Sequence, residues 1–356
     1  MEPTLQKAIQ FLQEEVRPHA QEMDRDPEAL RKALDGMCRN HLMAFKRPME
    51  YGGPEIGEAS FRTFQEEVAR TSGSLAFLQT QHQSAVGMIG KSDNRSLKTE
   101  YLPKMADGKR LVGIGFSQLR RPGPPIMRAT QVEGGYVLEG HVPWVTGWSF
   151  YPEFLVGATL PDGQAVFGIV PLTAQVGVTI SEPMALAAME SAMTVTCDFK
   201  DFFVTNEKIA FVKPAGWVQN NDTINIALQG HFALGCAMGA LDVLKAAAEK
   251  RGFGFLHDAH GRLEAELNEC KSATTQAQKG LNDEATAAPI TEQRLAVRAW
   301  AIELAVRCAH AAITASSGAA NSLAHPAQRI YREALVYTVS AQTTPIMEAT
   351  MGRLVR

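Results

Sequence analysis

Residues 129–146 read ATQVEGGYVLEGHVPWVT, and this stretch marks a change in the character of the chain. Two β-branched runs meet there at Gly134-Gly135, a dipeptide typical of a two-residue hairpin turn. Other short runs of the same kind continue to about residue 213, separated by Gly, Pro and Asp. We therefore predict a compact β domain over residues 113–213.

The segments on both sides of this domain predict helices. LQKAIQFLQEEV and SFRTFQEEVARTS, which precede it, repeat apolar residues at spacings of three and four. After it, Asn225 to Arg251 is apolar around much of its circumference, which predicts a buried helix. Each glycine inside a helix costs about 0.5–1 kcal/mol relative to alanine, so three of them predict a very close neighbour: Gly230, Gly235 and Gly239. The predicted layout is a helical domain (1–112), the β domain and a helical bundle (214–356).

Composition excludes several classes of protein. The 356 residues are 45% hydrophobic and 21% charged with a net charge of −3, which is typical of a globular protein and of neither a nucleic-acid nor a membrane-surface binder. No apolar run approaches the roughly 20 residues of a membrane span, and the charged N-terminus lacks a signal-peptide core. The five cysteines show no CxxC spacing, which predicts reduced buried thiols in a cytoplasmic protein and no metal site.

Seven stretches of the chain carry a family likeness. They are PMEYGGPEIG with EEVARTSGSLAF, KTEYLPKMADGKRLVGIGFSQ, VEGGYVLEGHVPWVTGWSFYPEFLVGA, CDFKDFFVTNEKI, RGFGF and HPAQRIYREA. In order and spacing they resemble the motifs of the FAD-dependent acyl-CoA dehydrogenase family. The resemblance implies an α+β fold with an N-terminal helical domain, a middle antiparallel β-barrel or sandwich and a C-terminal four-helix bundle. It also implies FAD as cofactor and an acyl-CoA or acyl-carrier thioester as substrate.

The resemblance assigns three residues to the flavin ring. Trp144 matches a residue that lies against the isoalloxazine, and the Thr146 hydroxyl matches one that reaches its N5 edge. Ser117 matches a flavin-contacting Thr or Ser. The alternative for the first two is an aromatic residue and a threonine paired in a β-sheet without a ligand.

A second set of residues matches the family's contacts to the FAD diphosphate of a neighbouring subunit. These are Arg251 and Phe253, at the end of the long helix, and Gly318. The agreement is imperfect, because RGFG shifts the matched cation to Lys250 and because the family's Gln, His and first Gly are replaced here by Thr314, Ser316 and Ser317. A cation favoured by the dipole of a helix C-terminus is the alternative for Arg251. Shared contacts of this kind imply a homodimer or homotetramer.

The catalytic base of the family is missing from both positions where it occurs. In REALVYTVSAQTTPI, the glutamate position holds Ala341 and the flavin-touching threonine position holds Thr343; the alternative glutamate position holds Asn225. Neither alanine nor asparagine takes up a proton at neutral pH. Asp222 and Glu348 are the candidate substitutes, and the alternative for each is a solvated charge near a helix N-terminus.

The loop that follows Ser117 also departs from the family pattern. Three prolines restrict its backbone, and Arg120 and Arg121 give it positive charge. We expect these arginines to meet a substrate phosphate, as in CoA or a phosphopantetheine carrier; a solvated basic turn is the alternative.

Three functions remain open from the sequence. The first is α,β-dehydrogenation of an acyl thioester with a displaced or absent base. The second is a flavin-dependent monooxygenase or oxidase on this fold, for which no α proton need be removed. The third is a non-catalytic family member.

Overall fold

The structure, a computed structural model, describes residues 2–54, 56–278 and 287–355 of the chain. Helices occupy the chain as far as Tyr101, strands lie between Val112 and Lys213, and helices return from Trp217. The order confirms the predicted α–β–α architecture, while the domain limits drawn from the sequence stay predictions.

Five helices form the N-terminal region: α1 (Pro3–Phe11), α2 (Pro27–Arg39), α3 (Glu58–Thr71), α4 (Gly73–Gly90) and α5 (Arg95–Tyr101). Asp26, Ser72 and Asn94 begin α2, α4 and α5 by accepting a backbone N–H of the first turn. The buried faces meet at an aromatic cluster in which the rings of Phe45 and Phe64 lie 4.5 Å apart. One helix of this region, α4, also packs against the first strand of the sheet.

The middle region is one mixed sheet of eight strands: β1 (Val112–Gly115), β2 (Met127–Val132), β3 (Gly135–Thr146), β4 (Glu153–Thr159), β5 (Ala165–Pro171), β6 (Val178–Ile180), β7 (Thr194–Thr205) and β8 (Ile209–Lys213). Their order is β6-β7-β3-β2-β4-β5-β8, with β1 on β4. The β2–β3 hairpin turns at Gly134, where φ is 78°, as predicted. Most pairings are antiparallel as expected, but β1 and β2 run parallel to β4. Whether two strands run parallel depends on the connections between them, and the sequence of one strand alone does not show these.

Five helices complete the chain: α6 (Trp217–Arg251), α7 (Gly254–Ala277), α8 (Ala287–Ser316), α9 (Pro326–Val339) and α10 (Thr344–Leu354). Helix α6 begins at Trp217, ahead of the predicted start at Asn225, and packs against α3, α7, α8 and α9. It is therefore the central helix of the C-terminal region, which agrees with its apolar circumference.

The glycines of α6 lie where α3 crosses it. A Cβ atom at Gly235 would stand 2.2 Å from the backbone oxygen of Glu66, and one at Gly239 would stand 2.7 Å from that of Arg70. Both distances are shorter than a carbon–oxygen contact allows, so the two backbones touch. The predicted close neighbour is thus confirmed at these two positions, whereas Gly230 makes only ordinary contacts.

Residues Asn225–Arg251 of α6 are long and apolar enough, by length and composition, to cross a bilayer, which the sequence analysis did not expect. However, 67% of the most apolar window is buried within the protein, as in the core helix of a bundle. All five cysteines are free and buried, as predicted. Burial raises the pKa of four of their thiols to about 12: Cys38, Cys197, Cys270 and Cys308.

Candidate active site

Strand β3 brings an exposed aromatic face and a buried hydroxyl close together. The side chain of Trp144 is 48% exposed although the neighbouring strand residues are buried. Two residues on, the Thr146 hydroxyl lies 3.0 Å from that of Thr194 on β7, and both residues are buried. A large indole left open to solvent on a sheet provides a flat apolar surface for a ring system.

The hydroxyl of Ser117 is the strongest sign of a ligand. It lies in the one-turn 3₁₀ helix Ser117–Arg120 that follows β1 and packs against β3. Its oxygen is buried, and no hydrogen-bond partner for it is present among the described residues. Buried polar atoms are nearly always hydrogen-bonded, so a polar group from outside the chain fits here. The residues assigned to a flavin ring therefore suit one: an open aromatic face with an unpartnered hydroxyl on the adjoining turn.

The loop that should carry the base lies between α9 and α10. Ala341 is exposed and left-handed, with φ of 50°. Thr343 is the N-cap residue of α10 and makes no side-chain cap there. At the alternative position, the Asn225 amide donates to the Asn221 carbonyl over 2.9 Å. Both family base positions thus hold neutral side chains.

A predicted phosphate ligand and a candidate base form an ion pair with each other. Arg120 donates to both carboxylate oxygens of Asp222, with Nε–Oδ2 at 2.7 Å and Nη2–Oδ1 at 2.8 Å. A candidate base and a candidate phosphate ligand therefore neutralise each other. Arg121 is exposed, as is Glu348 in α10, and neither side chain forms a hydrogen bond or ion pair within the described part of the chain.

The residues assigned to a diphosphate lie in and around a cleft of about 660 Å³. Its walls come from the N-terminal segment and from the ends of α3, α6, α8 and α9. Lys250 and Arg251 both line it, and in the residues that the structure covers neither has an ion-pair partner. Arg329 also lines the cleft, and its buried Nε has no acceptor within the described ranges. The cleft can therefore receive an anion.

Other members of that set are placed differently. Phe253 stacks on Phe255, with ring centroids 5.5 Å apart, and neither ring lines the cleft. Ser317, and not Gly318, is the left-handed residue, with φ of 56°. A Cβ atom at Gly318 would meet no atom of the described residues within 4 Å, so none of them makes the close approach expected at this glycine.

Sequence reasoning missed several polar residues near these sites. Thr194, the partner of Thr146, lies on a distant strand and carries no local signal. Asp242 holds Arg70 with Nη2–Oδ1 and Nε–Oδ2 distances of 2.7 and 2.8 Å in the cleft wall. Arg298 is a buried cation in α8, and its place in the apolar stretch RLAVRAWAIELAV was a signal that could have been noticed.

Family models match both helical regions. "Acyl-CoA dehydrogenase, N-terminal domain" fits residues 2–109 and "Acyl-CoA dehydrogenase, C-terminal domain" fits residues 215–355. "Isovaleryl-CoA dehydrogenase, mitochondrial" of Solanum tuberosum is 24% identical over 366 residues, with 98% of this chain and 88% of the relative covered. The fold, the flavin-side geometry and these matches agree: the chain belongs to the acyl-CoA dehydrogenase family, whose members are FAD flavoproteins.

Solved structures show the same fold. Butyryl-CoA dehydrogenase of Megasphaera elsdenii superposes with a TM-score of 0.79 at 18% identity, with 99% of this chain and 97% of the other covered. An active-site mutant of nitroalkane oxidase superposes with a TM-score of 0.82 at 17% identity, with coverage of 100% and 96%. The fold is therefore shared by proteins whose names describe different reactions.

Proposed function

We propose that this oxidoreductase uses FAD to remove hydrogen from the α and β carbons of an acyl thioester, without the family's usual glutamate base. The observation that carries the proposal is the buried Ser117 hydroxyl, which has no partner among the described residues and lies on the turn that packs against β3, the strand of the exposed Trp144. When bound, FAD supplies a hydride acceptor. The relatives' names include isovaleryl-CoA and butyryl-CoA dehydrogenases, which supports a CoA thioester as the substrate class.

The proposed roles of the chain's own residues are binding and orientation. Trp144 covers one face of the ring, while the hydroxyls of Ser117 and Thr146 face its polar edges. Thr343, at the start of α10, faces it from the opposite side. Arg251 or Lys250 neutralises the diphosphate of the FAD held by a second copy of the chain, because both cations line the basic cleft and neither has an ion-pair partner among the described residues.

Removal of the α proton is the step with no dedicated group. Asp222 is occupied by Arg120, and Glu348 is exposed in α10; each remains only a candidate base. General-base assistance contributes roughly 10²–10⁴ in rate. We therefore expect slow desaturation, restricted to substrates whose α proton is unusually acidic.

Absorbance of the purified protein, followed by anaerobic titration with acyl thioesters, tests this proposal. We expect a bound flavin that bleaches with at least one thioester. Ala341→Glu should then accelerate the bleaching by about 10²–10⁴, whereas the isosteric Ala341→Gln should not. A colourless protein that does not bind added FAD, or a flavin that no thioester reduces, would contradict it.

A flavin-dependent oxidase or monooxygenase is the second candidate. Two features favour this candidate. Ala341 and Asn225 hold the base positions, and such chemistry needs no α-proton base. The three prolines after Arg121 change the substrate loop, as a different substrate would require. In this case thioesters would not reduce the flavin, whereas an external reductant would, and the reduced flavin would then consume oxygen. The measurement that separates the candidates is oxygen uptake after anaerobic reduction by each route.

We also propose that the protein is a homodimer or homotetramer. Three large apolar residues spaced four apart are exposed along α9, and two more lie on α10: Tyr331, Leu335, Val339, Met347 and Met351. An apolar stripe of this size on a helix supports contact with another copy. Sedimentation equilibrium tests this, since Leu335→Lys should reduce the mass of the assembly while Val176→Lys, in the exposed turn before β6, should not. The five buried thiols support a reducing compartment such as the cytoplasm.

A further inference from the structure

Arg298 is a buried cation that has no acidic partner among the residues that the structure describes. Its side chain lies in the middle of α8 and is among the largest fully buried side chains of the protein. Burial alone lowers the pKa of the guanidinium to about 10, and no carboxylate of the described residues lies within ion-pair distance. Burying an unpaired charge costs several kcal/mol. The cost implies that the guanidinium contributes something that an apolar side chain could not.

Its contribution is a pair of hydrogen bonds at the end of α9. Nη2 of Arg298 donates to the carbonyl oxygens of Tyr337 and Ser340, at 3.3 and 3.2 Å. The last carbonyls of a helix lack intrahelical donors and carry the negative end of its dipole. A cation placed there satisfies both needs at once. The Nε and Nη1 atoms have no acceptor within the described part of the chain, so Nη2 alone provides this link.

The Ser340 carbonyl belongs to the peptide unit that leads into Ala341. Ser340 is extended, with ψ of 130°, and Ala341 is left-handed, with φ of 50°. Left-handed backbone costs a residue with a Cβ atom about 1–2 kcal/mol, so the turn needs an outside restraint. A hydrogen bond to this carbonyl holds the peptide plane in the orientation that the left-handed residue requires.

The remaining bonds of the loop do not supply that restraint. Ser340 donates to the Val336 carbonyl through both its backbone N–H and its hydroxyl. Gln342 donates to the carbonyls of Val339 and Thr338. All of these acceptors lie in α9 itself. Among the residues that the structure describes, Arg298 provides the one hydrogen bond that ties residues 340–342 to a different element.

We infer that Arg298 is the positioning residue of the α9–α10 loop, and that it fixes residues 341–343 in the place where they face the flavin ring. The inference rests on the proposed function for the role of Thr343 at the ring, but the restraint on the loop is independent of any cofactor. Position 341 is also where the family carries its base, so the same restraint sets the place from which a side chain would reach the substrate.

Amide hydrogen exchange of the full-length protein tests the restraint directly. Arg298→Met should raise the exchange rate of residues 340–343 by about tenfold or more, because a hydrogen bond from a charged donor is lost. Arg298→Lys, which keeps a buried cationic donor, should restore much of the protection. Arg62→Met removes a largely buried arginine that pairs with Glu58 on α3, in the N-terminal helical region, and should leave residues 340–343 unchanged. Should Arg298→Met not fold, Arg298→Gln replaces it.

A second readout uses the strain at Ala341. Arg298→Met should weaken FAD binding and change the visible circular dichroism of the flavin. In an Ala341→Gly background, where a left-handed φ costs nothing, most of that loss in affinity should disappear. An equal or larger loss in the glycine background, or loop protection that Arg298→Met leaves intact, would overturn the inference. A protein that binds no FAD would defeat the proposed function, while the exchange measurement would still report on Arg298.

Discussion

Arg120 and Asp222 form a bidentate ion pair that joins the turn after β1 to the first part of α6. The two residues are 102 positions apart, and their side chains are only 23% and 16% exposed. Gln219 adds a bond from the same part of α6 to the Leu119 carbonyl. The turn that carries Ser117 is thus fastened to the C-terminal bundle, so its position depends on both regions.

Breaking this pair should cost stability in a way that depends on both partners. Asp222→Asn and Arg120→Ala should each lower the free energy of unfolding by about 1–3 kcal/mol. The double variant should lose less than the sum, because removing one partner leaves the other partly buried and unpaired. Urea unfolding of the four proteins measures the coupling. Arg121→Ala is the control and should change stability by less than about 0.5 kcal/mol; additive losses would show that the pair is not energetically coupled.

The Ser117 hydroxyl should matter to the cofactor and not to the protein fold. Since it has no partner within the described chain, Ser117→Ala should leave the thermal stability of the cofactor-free protein unchanged. Loss of one neutral hydrogen bond should weaken FAD binding about two- to tenfold. Ser117→Thr retains the hydroxyl and should bind like the parent. Fluorescence titration with FAD gives these affinities, and wild-type affinity in Ser117→Ala would remove the serine from the flavin site.

His82 should make the fold sensitive to acid. Its Nδ1 accepts from the Val112 N–H at 3.0 Å and its Nε2 donates to the Met105 carbonyl at 3.0 Å, an arrangement that requires the neutral ring. Burial lowers its pKa from 6.5 to about 4. The folded state therefore resists protonation, so stability is complete above about pH 6.5 and falls as the pH drops toward about 4. The loss is on the order of 3 kcal/mol.

Unfolding by urea at a series of pH values checks this. His82→Gln should be less stable at neutral pH but should lose part of the slope between about pH 6.5 and pH 4. The exposed His257→Gln is the matched control and should keep the parent's profile. Identical slopes in the parent and His82→Gln would assign the acid sensitivity to other groups.

Gly235 should tolerate no side chain. The added methyl of Gly235→Ala would collide with the backbone oxygen of Glu66 at 2.2 Å, so α3 and α6 would have to separate. We expect a loss of about 1–3 kcal/mol or more. Gly261→Ala, on the exposed side of α7 with no atom within 4 Å of the new methyl, should instead gain about 0.5–1 kcal/mol. Thermal unfolding of both variants provides the comparison, and a neutral Gly235→Ala would show that the helices can move apart freely.

Features that depend on neighbouring residues in the chain were predictable from the sequence. The β2–β3 hairpin follows from Gly134-Gly135, and the approach of α3 follows from the glycines of α6. In both cases glycine is present because the local backbone requires a residue without a side chain. The helical and β regions were found for the same reason, because the periodicity of apolar residues is a local property.

Features that depend on distant contacts were not predictable. Nothing in the turn after Ser117 shows that Arg120 will meet Asp222, and nothing near Thr146 indicates Thr194. The parallel pairing of β1 with β4 is fixed by the path of the chain between them. Arg298 is an intermediate case: its charge within an apolar helix is visible in the sequence, but its acceptors lie about forty residues later, in a loop whose backbone only the fold defines.

The burial of all five thiols has a practical consequence for anyone studying the protein in solution. Because the thiols have pKa values far above neutrality and all five are buried, the native protein should be nearly inert toward maleimides. A single cysteine introduced at Arg121 would then be the one fast-reacting site, and a fluorophore attached there would report movements of the Ser117 turn without any prior removal of native residues.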